Sequence, residues 1–172
     1  MQAAQKDGYE KAQRAAKLLR GEVTDLFAQV ECAVGAVLAH AATLPEYQAM
    51  KPSFPHLLGH KLERLRQLMS KSGPLKSRAN GIVPLVDKFS SFDDLRHFMA
   101  HGIVEVALKK NGEPIYVFRM LSASDGLSET ALILTRPEAQ SRTARLADIA
   151  MALASKLEAI TNDMRNQRKS RG

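Results

Sequence analysis

Tryptophan is absent, aromatic residues make up 5% of the 172 positions, and the single cysteine has no partner in the chain. The shortage of aromatics leaves a core of Leu, Val, Ile, Ala and Met, the composition of a helical bundle. A lone cysteine excludes an internal disulfide framework, and Cys32 lies within an apolar helical pattern, so a small buried thiol is expected there rather than a nucleophile. No apolar run reads as long enough to cross a bilayer, and Met1 to Gly8 lacks the continuous apolar stretch of a signal peptide. A cytoplasmic protein without a membrane partner is therefore expected. Internal repeats and interior low-complexity tracts are also missing.

The hydrophobic content of 45% is ordinary for a chain whose length suits one core, so a single domain over residues 1–164 is expected. The formal net charge of +7 favours polyanionic partners without choosing among nucleic acid, membrane surface and acidic protein. Much of that excess falls between Arg165 and Arg171, and residues 165–172 read as a basic, solvated and disordered tail.

Leu19, Val23, Leu26, Val30, Val34, Val37 and Ala41 keep one stripe on a long first helix, from about Tyr9 to Ala42. Glu22, Asp25 and Gln29 lie away from that stripe. Pro45, Pro52 and Pro55 mark a loop, because proline removes an amide donor and pushes its predecessor out of helical geometry. A second helix is expected from about His56 to Ser70 on Leu58, Leu62, Leu65 and Met69, with Pro55 in its first turn and Gly73-Pro74 as the stop. Gly81 and Pro84 interrupt the spacing of Leu75, Ala79, Val83, Val86 and Phe89, which predicts a broken or kinked helix. Beyond Gly102 the period becomes alternating. Ile103–Leu108 and Ile115–Met120 flank Asn111-Gly112, a strong hairpin signal, and Glu129–Leu134 completes a three-stranded meander at about 103–135. Thr135 with Glu138 has capping-box spacing and opens a last helix on Leu146, Ile149, Leu153, Leu157, Ile160 and Met164. The expected fold class is mainly α, a helical bundle with a small three-stranded antiparallel sheet inserted before the last helix.

The stretch with chemical character is Ser91 to Gly102. Ser91 with Asp94 has capping-box spacing, and Gly102 suits a left-handed helix end. At about 100° per residue, Phe92, Leu95, Phe98 and Met99 gather on one side, and Asp93, Asp94, Arg96, His97 and His101 on the other. Arg96 and His101 stand about 140° apart and border the polar face from opposite edges. Glu22 or Asp25 of the first helix, or Asp94 of the same helix, is suited to orient Arg96. Alternatively, Arg96 pairs with an aspartate of its own helix while His101 satisfies carbonyls at the helix end.

An arginine followed five residues later by a histidine and then glycine, here Arg96-His97-Phe98-Met99-Ala100-His101-Gly102 on a capped helix, resembles the HEPN superfamily. This chain carries His97 where that family usually has Asn or Asp. The resemblance implies a HEPN-like helical bundle that dimerises about the motif helix. In active members it also implies metal-independent endoribonuclease activity, often within toxin–antitoxin or phage-defence systems. Partners would then be a second copy, RNA, and an antitoxin or other protein. Cleavage of RNA by its own 2′-hydroxyl needs a base, an acid and positive charge on the phosphate. His101, with His97 assisting, suits proton transfer, since imidazole titrates near neutrality. Arg96 suits the phosphate, to which guanidinium binds as a two-pronged fork. The alternative is a non-catalytic dimeric module that binds a nucleotide or a partner protein. His56/His60 and His97/His101 have the i, i+4 spacing of metal-binding pairs. However, His56 to His60 lacks the glutamate of the zinc-protease motif and no cysteine or carboxylate cluster completes a site, so no metal or cofactor is expected.

Overall fold

The seven apolar residues from Leu19 to Ala41 are all buried along one face of a helix, α1, that runs Ala3–Ala41. The computed structural model describes residues 3–50, 55–122 and 128–169. Helix α1 is long and apolar enough, by length and composition, to cross a membrane, with 44% of the qualifying stretch buried. This corrects the expectation that no run reaches that length. Exposed Ala28, Cys32 and Ala39 raise the hydropathy of α1 without adding to its buried stripe. Cys32 is thus an exposed thiol rather than the expected buried one, because it falls outside the stripe formed by Val30, Val34 and Val37.

The chain divides into two compact units. One comprises the residues up to Leu26 together with Phe92–Ala147, and the other comprises Phe27–Ser91 together with Asp148 onward. In the second unit a 3-10 turn, Pro45–Met50, leads toward α2, Leu58–Ser70. Residues 51–54, within the expected proline loop, lie outside the described residues. Pro55 precedes α2 instead of occupying its first turn, and Leu58, Leu62, Leu65 and Met69 are buried as their spacing predicts.

Leu75 to Phe89 changes from a 3-10 turn at Lys76–Arg78 to the helix α3, Ala79–Ser90, which continues through Pro84. The break therefore comes before Gly81 and Pro84. Phe89 is fully buried with its ring 4.7 Å from that of Phe27, and Arg66 bonds both Asp87 (2.8 Å) and Ser90 (3.1 Å) of α3. The Tyr47 hydroxyl accepts the Leu75 amide at 3.0 Å, and burial raises the pKa of the phenol. A side chain at Gly73 would come within 2.6 Å of that hydroxyl, which is why glycine stands there.

The first unit holds α4, Asp93–His101, and a sheet of β1 (Ile103–Leu108), β2 (Pro114–Ser122) and β3 (Ser128–Thr135). The sheet is antiparallel throughout in the order β1-β2-β3, the expected meander. Lys109 and Glu113 close the first hairpin (amide to carbonyl, 2.9 Å), and Gly112 takes the left-handed φ of 83° that this turn requires. The expected second turn falls, from residue 123, outside the described residues. Strand alternation buries Val106, Tyr116, Phe118 and Leu134 on one sheet face, while Ile103, Leu121 and Ile133 are exposed on the other. Across that exposed face Arg119 bonds Glu105 at 2.9 Å and also Glu129, and these contacts favour its charged form.

The last helix, α5, spans Arg136–Lys169. Thr135 and Glu138 form the expected capping box. The Thr135 amide donates to the Glu138 carboxylate at 2.8 Å, and the Glu138 amide donates to the Thr135 hydroxyl at 3.4 Å. In the second unit α5 buries Leu153, Leu157, Ile160 and Met164, and Arg165 donates to His40 of α1 at 2.9 Å. Helix continues to Lys169, so the basic end expected to be a tail from residue 165 is helical as far as it is described.

Two expectations for the central stretch are corrected. Ser91 caps nothing in α4: its hydroxyl donates to the Lys88 carbonyl of α3 at 2.7 Å, and Phe92 occupies the N-cap without a side-chain bond. Gly102 is extended (φ −74°, ψ 147°), not left-handed. Its glycine requirement is one of space, since a Cβ would lie 2.5 Å from the Phe98 carbonyl oxygen and 3.3 Å from that of Arg119. Gly102→Ala should destabilise the protein by about 2 kcal/mol in urea denaturation, because backbone atoms must shift to admit the methyl group.

The Thr135 amide, and then the Thr135 hydroxyl, hold the Glu138 carboxyl below its ordinary pKa of 4.5. A lowered folded pKa contributes stability that is present above about pH 4.5 and lost as the pH falls through the folded value. Wild type should therefore exceed Glu138→Gln in stability at neutral pH, with the difference vanishing in acid denaturation profiles.

Candidate functional site

Helix α4 is nine residues long and amphipathic, and its apolar side fixes which groups face outward. Phe92, Leu95 and Met99 are buried and Phe98 is half-buried, and the helix packs against β2 and β3. Asp93, Asp94, His97 and His101 are exposed, and Arg96 is half-buried. The imidazoles of His97 and His101 meet edge to face, ring centroids 5.1 Å apart at 63°. One turn separates them, so the two imidazoles share one face of the helix.

Arg96 is oriented from within its own helix. Its Nε donates to Asp93 Oδ1 at 2.8 Å, with the arginine side chain 31% exposed and the aspartate 64%. Glu22 and Asp25 are exposed on α1, and Asp94 is exposed in the first turn of α4. The bond that orients Arg96 is made by Asp93, an aspartate of its own helix, which is the alternative pairing the sequence allows rather than the one with Glu22, Asp25 or Asp94.

The carbonyls at the end of α4 are met by Arg20 of α1. Nη1 of Arg20 donates to the Gly102 carbonyl at 3.2 Å and Nη2 to that of Ala100 at 3.1 Å. The sequence shows only that Arg20 flanks the buried stripe beside Leu19. Partners 80 residues away leave no periodic signal, and surface arginine is the ordinary reading of such a position.

His56 and His60 are exposed on the other unit, where with Glu63, Arg64 and Gln67 they line an open depression along α2. Among the described residues no three His, Cys, Asp or Glu side chains converge to hold a metal ion. Comparison of the chain with protein-family models, with curated proteins and with solved structures finds no match in any of the three.

An arginine about a third exposed and paired with a well-exposed aspartate contributes little to folding, because water competes for both charges. Arg96→Ala should change unfolding free energy by less than about 1 kcal/mol in urea titration. Any loss of function in that variant is then chemical in origin.

Proposed function

We propose that this chain is a HEPN-like, homodimeric, metal-independent endoribonuclease, of the kind that serves toxin–antitoxin or phage-defence systems. The observation that carries the reading is the pairing of two exposed imidazoles, His97 and His101, on the same short helix as Arg96. The apolar side of that helix is committed to packing, so its polar side is free for a substrate.

In the proposed reaction one imidazole removes the 2′-hydroxyl proton, and the 2′-oxygen attacks the adjacent phosphorus. The P–O5′ bond breaks as an imidazolium protonates the leaving oxygen, giving a 2′,3′-cyclic phosphate and a 5′-hydroxyl end. Arg96 neutralises the charge that gathers on the phosphate oxygens. Asp93 holds the Arg96 guanidinium toward the first turn of α4, while His101 is the last residue of that helix. The two residues are separated by about 7.5 Å along the axis, at 1.5 Å per residue. A twofold-related copy with its α4 antiparallel brings Arg96 of one helix beside His101 of the other, which is the reason for a homodimer.

The test is cleavage of a labelled single-stranded RNA by purified protein in EDTA. Wild type should cleave, and His101→Ala should lose about 100-fold or more, the usual contribution of a proton-transfer group. Mixing Arg96→Ala with His101→Ala should restore about a quarter of wild-type activity. Half the dimers are then mixed, and each mixed dimer keeps one intact composite site. Absence of cleavage by wild type, or full activity in His101→Ala, overturns the catalytic reading. The engagement of Arg96 by Asp93 favours one other reading, an interaction module for a nucleotide or partner protein. RNA or nucleotide binding without cleavage would be its signature.

A further inference from the structure

We infer that Arg20 is a positioning residue for His101, an assignment that rests on the nuclease reading for its catalytic consequence. Helix α4 ends at His101, where carbonyls lack intrahelical partners and the chain frays unless something else holds it. The guanidinium of Arg20 reaches across from α1 and grips the carbonyls of Ala100 and Gly102, the residues on either side of His101. With one planar group bonded at both points, the carbonyls of the residues before and after the histidine are tied to α1 together. The rest of the joint agrees with this function. The Gly102 amide still closes the helix onto the Phe98 carbonyl at 2.8 Å, and the following strand pairs Ile103 with Arg119. His101 is therefore held from the helix side, from the strand side and laterally, and the lateral hold is made by the Arg20 side chain.

The lateral hold matters because the imidazole itself is exposed. Its ring contact is with the His97 imidazole, itself exposed on the same helix, so the position of the ring is inherited chiefly from the α4 backbone. Misplacement of a catalytic group by about 1 Å is enough to cost on the order of 100-fold in rate. Lysine at position 20 offers a single ammonium in place of the fork, and alanine offers nothing. Arg20 touches neither substrate nor reacting atoms in this scheme; it acts through the main chain of residues 100–102.

The assignment is tested with Arg20→Ala and Arg20→Lys in the full chain, read in two independent ways. NMR relaxation of the Ala100, His101 and Gly102 amides, which needs no RNA, should show lowered order in Arg20→Ala, partial recovery in Arg20→Lys and further recovery when guanidinium ion is added at non-denaturing concentration. RNA cleavage should fall about 10- to 100-fold in kcat for Arg20→Ala with KM within about twofold, and guanidinium should restore part of it. Unchanged order of these amides overturns the assignment whether or not the protein cleaves RNA. A rise in KM alone also overturns it, since that would make Arg20 a substrate contact. If wild type does not cleave RNA while the amides respond as expected, the nuclease reading fails and the structural hold stands. Arg20→Lys keeps the charge and the aliphatic stem, so it supplies the same readouts if Arg20→Ala does not fold.

Discussion

Between the carbonyl oxygens of Phe98 and Arg119 there is no room for a side chain, and Gly102 occupies that space. The end of α4 and the start of β1 can approach β2 only because of it. The amphipathic helix is thereby set against the inner face of the sheet, where Phe118 and Met99 are almost wholly buried, and His101 becomes the last residue before the chain turns into a strand. Arg20 then closes the same joint from α1. The outward direction of His97 and His101, and the accessibility of Arg96, follow from that one steric constraint together with the apolar side of the helix.

Much of the architecture could be read from spacing alone, because burial of an apolar face is a periodic demand. The stripe from Leu19 to Ala41, the α2 positions Leu58 to Met69 and the alternation on either side of Asn111-Gly112 all behave as that demand requires. Reciprocal capping at Thr135 and Glu138 was equally legible, since both partners lie within one turn. Identical spacing misled at Ser91, where the hydroxyl had a nearer acceptor in the Lys88 carbonyl of the preceding helix. Gly102 marks a helix end in the sequence through its torsional freedom, whereas the fold uses its small size. Cys32 reads as buried only from the apolar character of its neighbours; the spacing of Val30, Val34 and Val37 places it off their stripe.

The polar contacts of the candidate site were harder to read, for a related reason. Asp93 reaches Arg96 at i−3, yet three other carboxylates had comparable claims on sequence grounds, and side-chain reach does not rank them. Arg20 lies far along the chain from the carbonyls it bonds, and its partners are backbone atoms, which carry no residue-specific mark. The pairing of His97 with His101 was visible as helical spacing, whereas their exposure depended on where α4 meets the sheet. A site assembled from one helix thus still takes its orientation from elements that sequence motifs do not mention.

The outer face of the sheet has a consequence of a different kind. Ile103, Leu121 and Ile133 are each more than 60% exposed there, a pattern that invites sheets to stack on one another. Arg119 runs through their midst with a glutamate on each side, Glu105 on one neighbouring strand and Glu129 on the other. Burial of that trio against another apolar surface would strip water from three charges at once, at a cost greater than a few aliphatic contacts return. The ionic row is therefore a built-in guard against aggregation, set on the strand that has no free edge to offer.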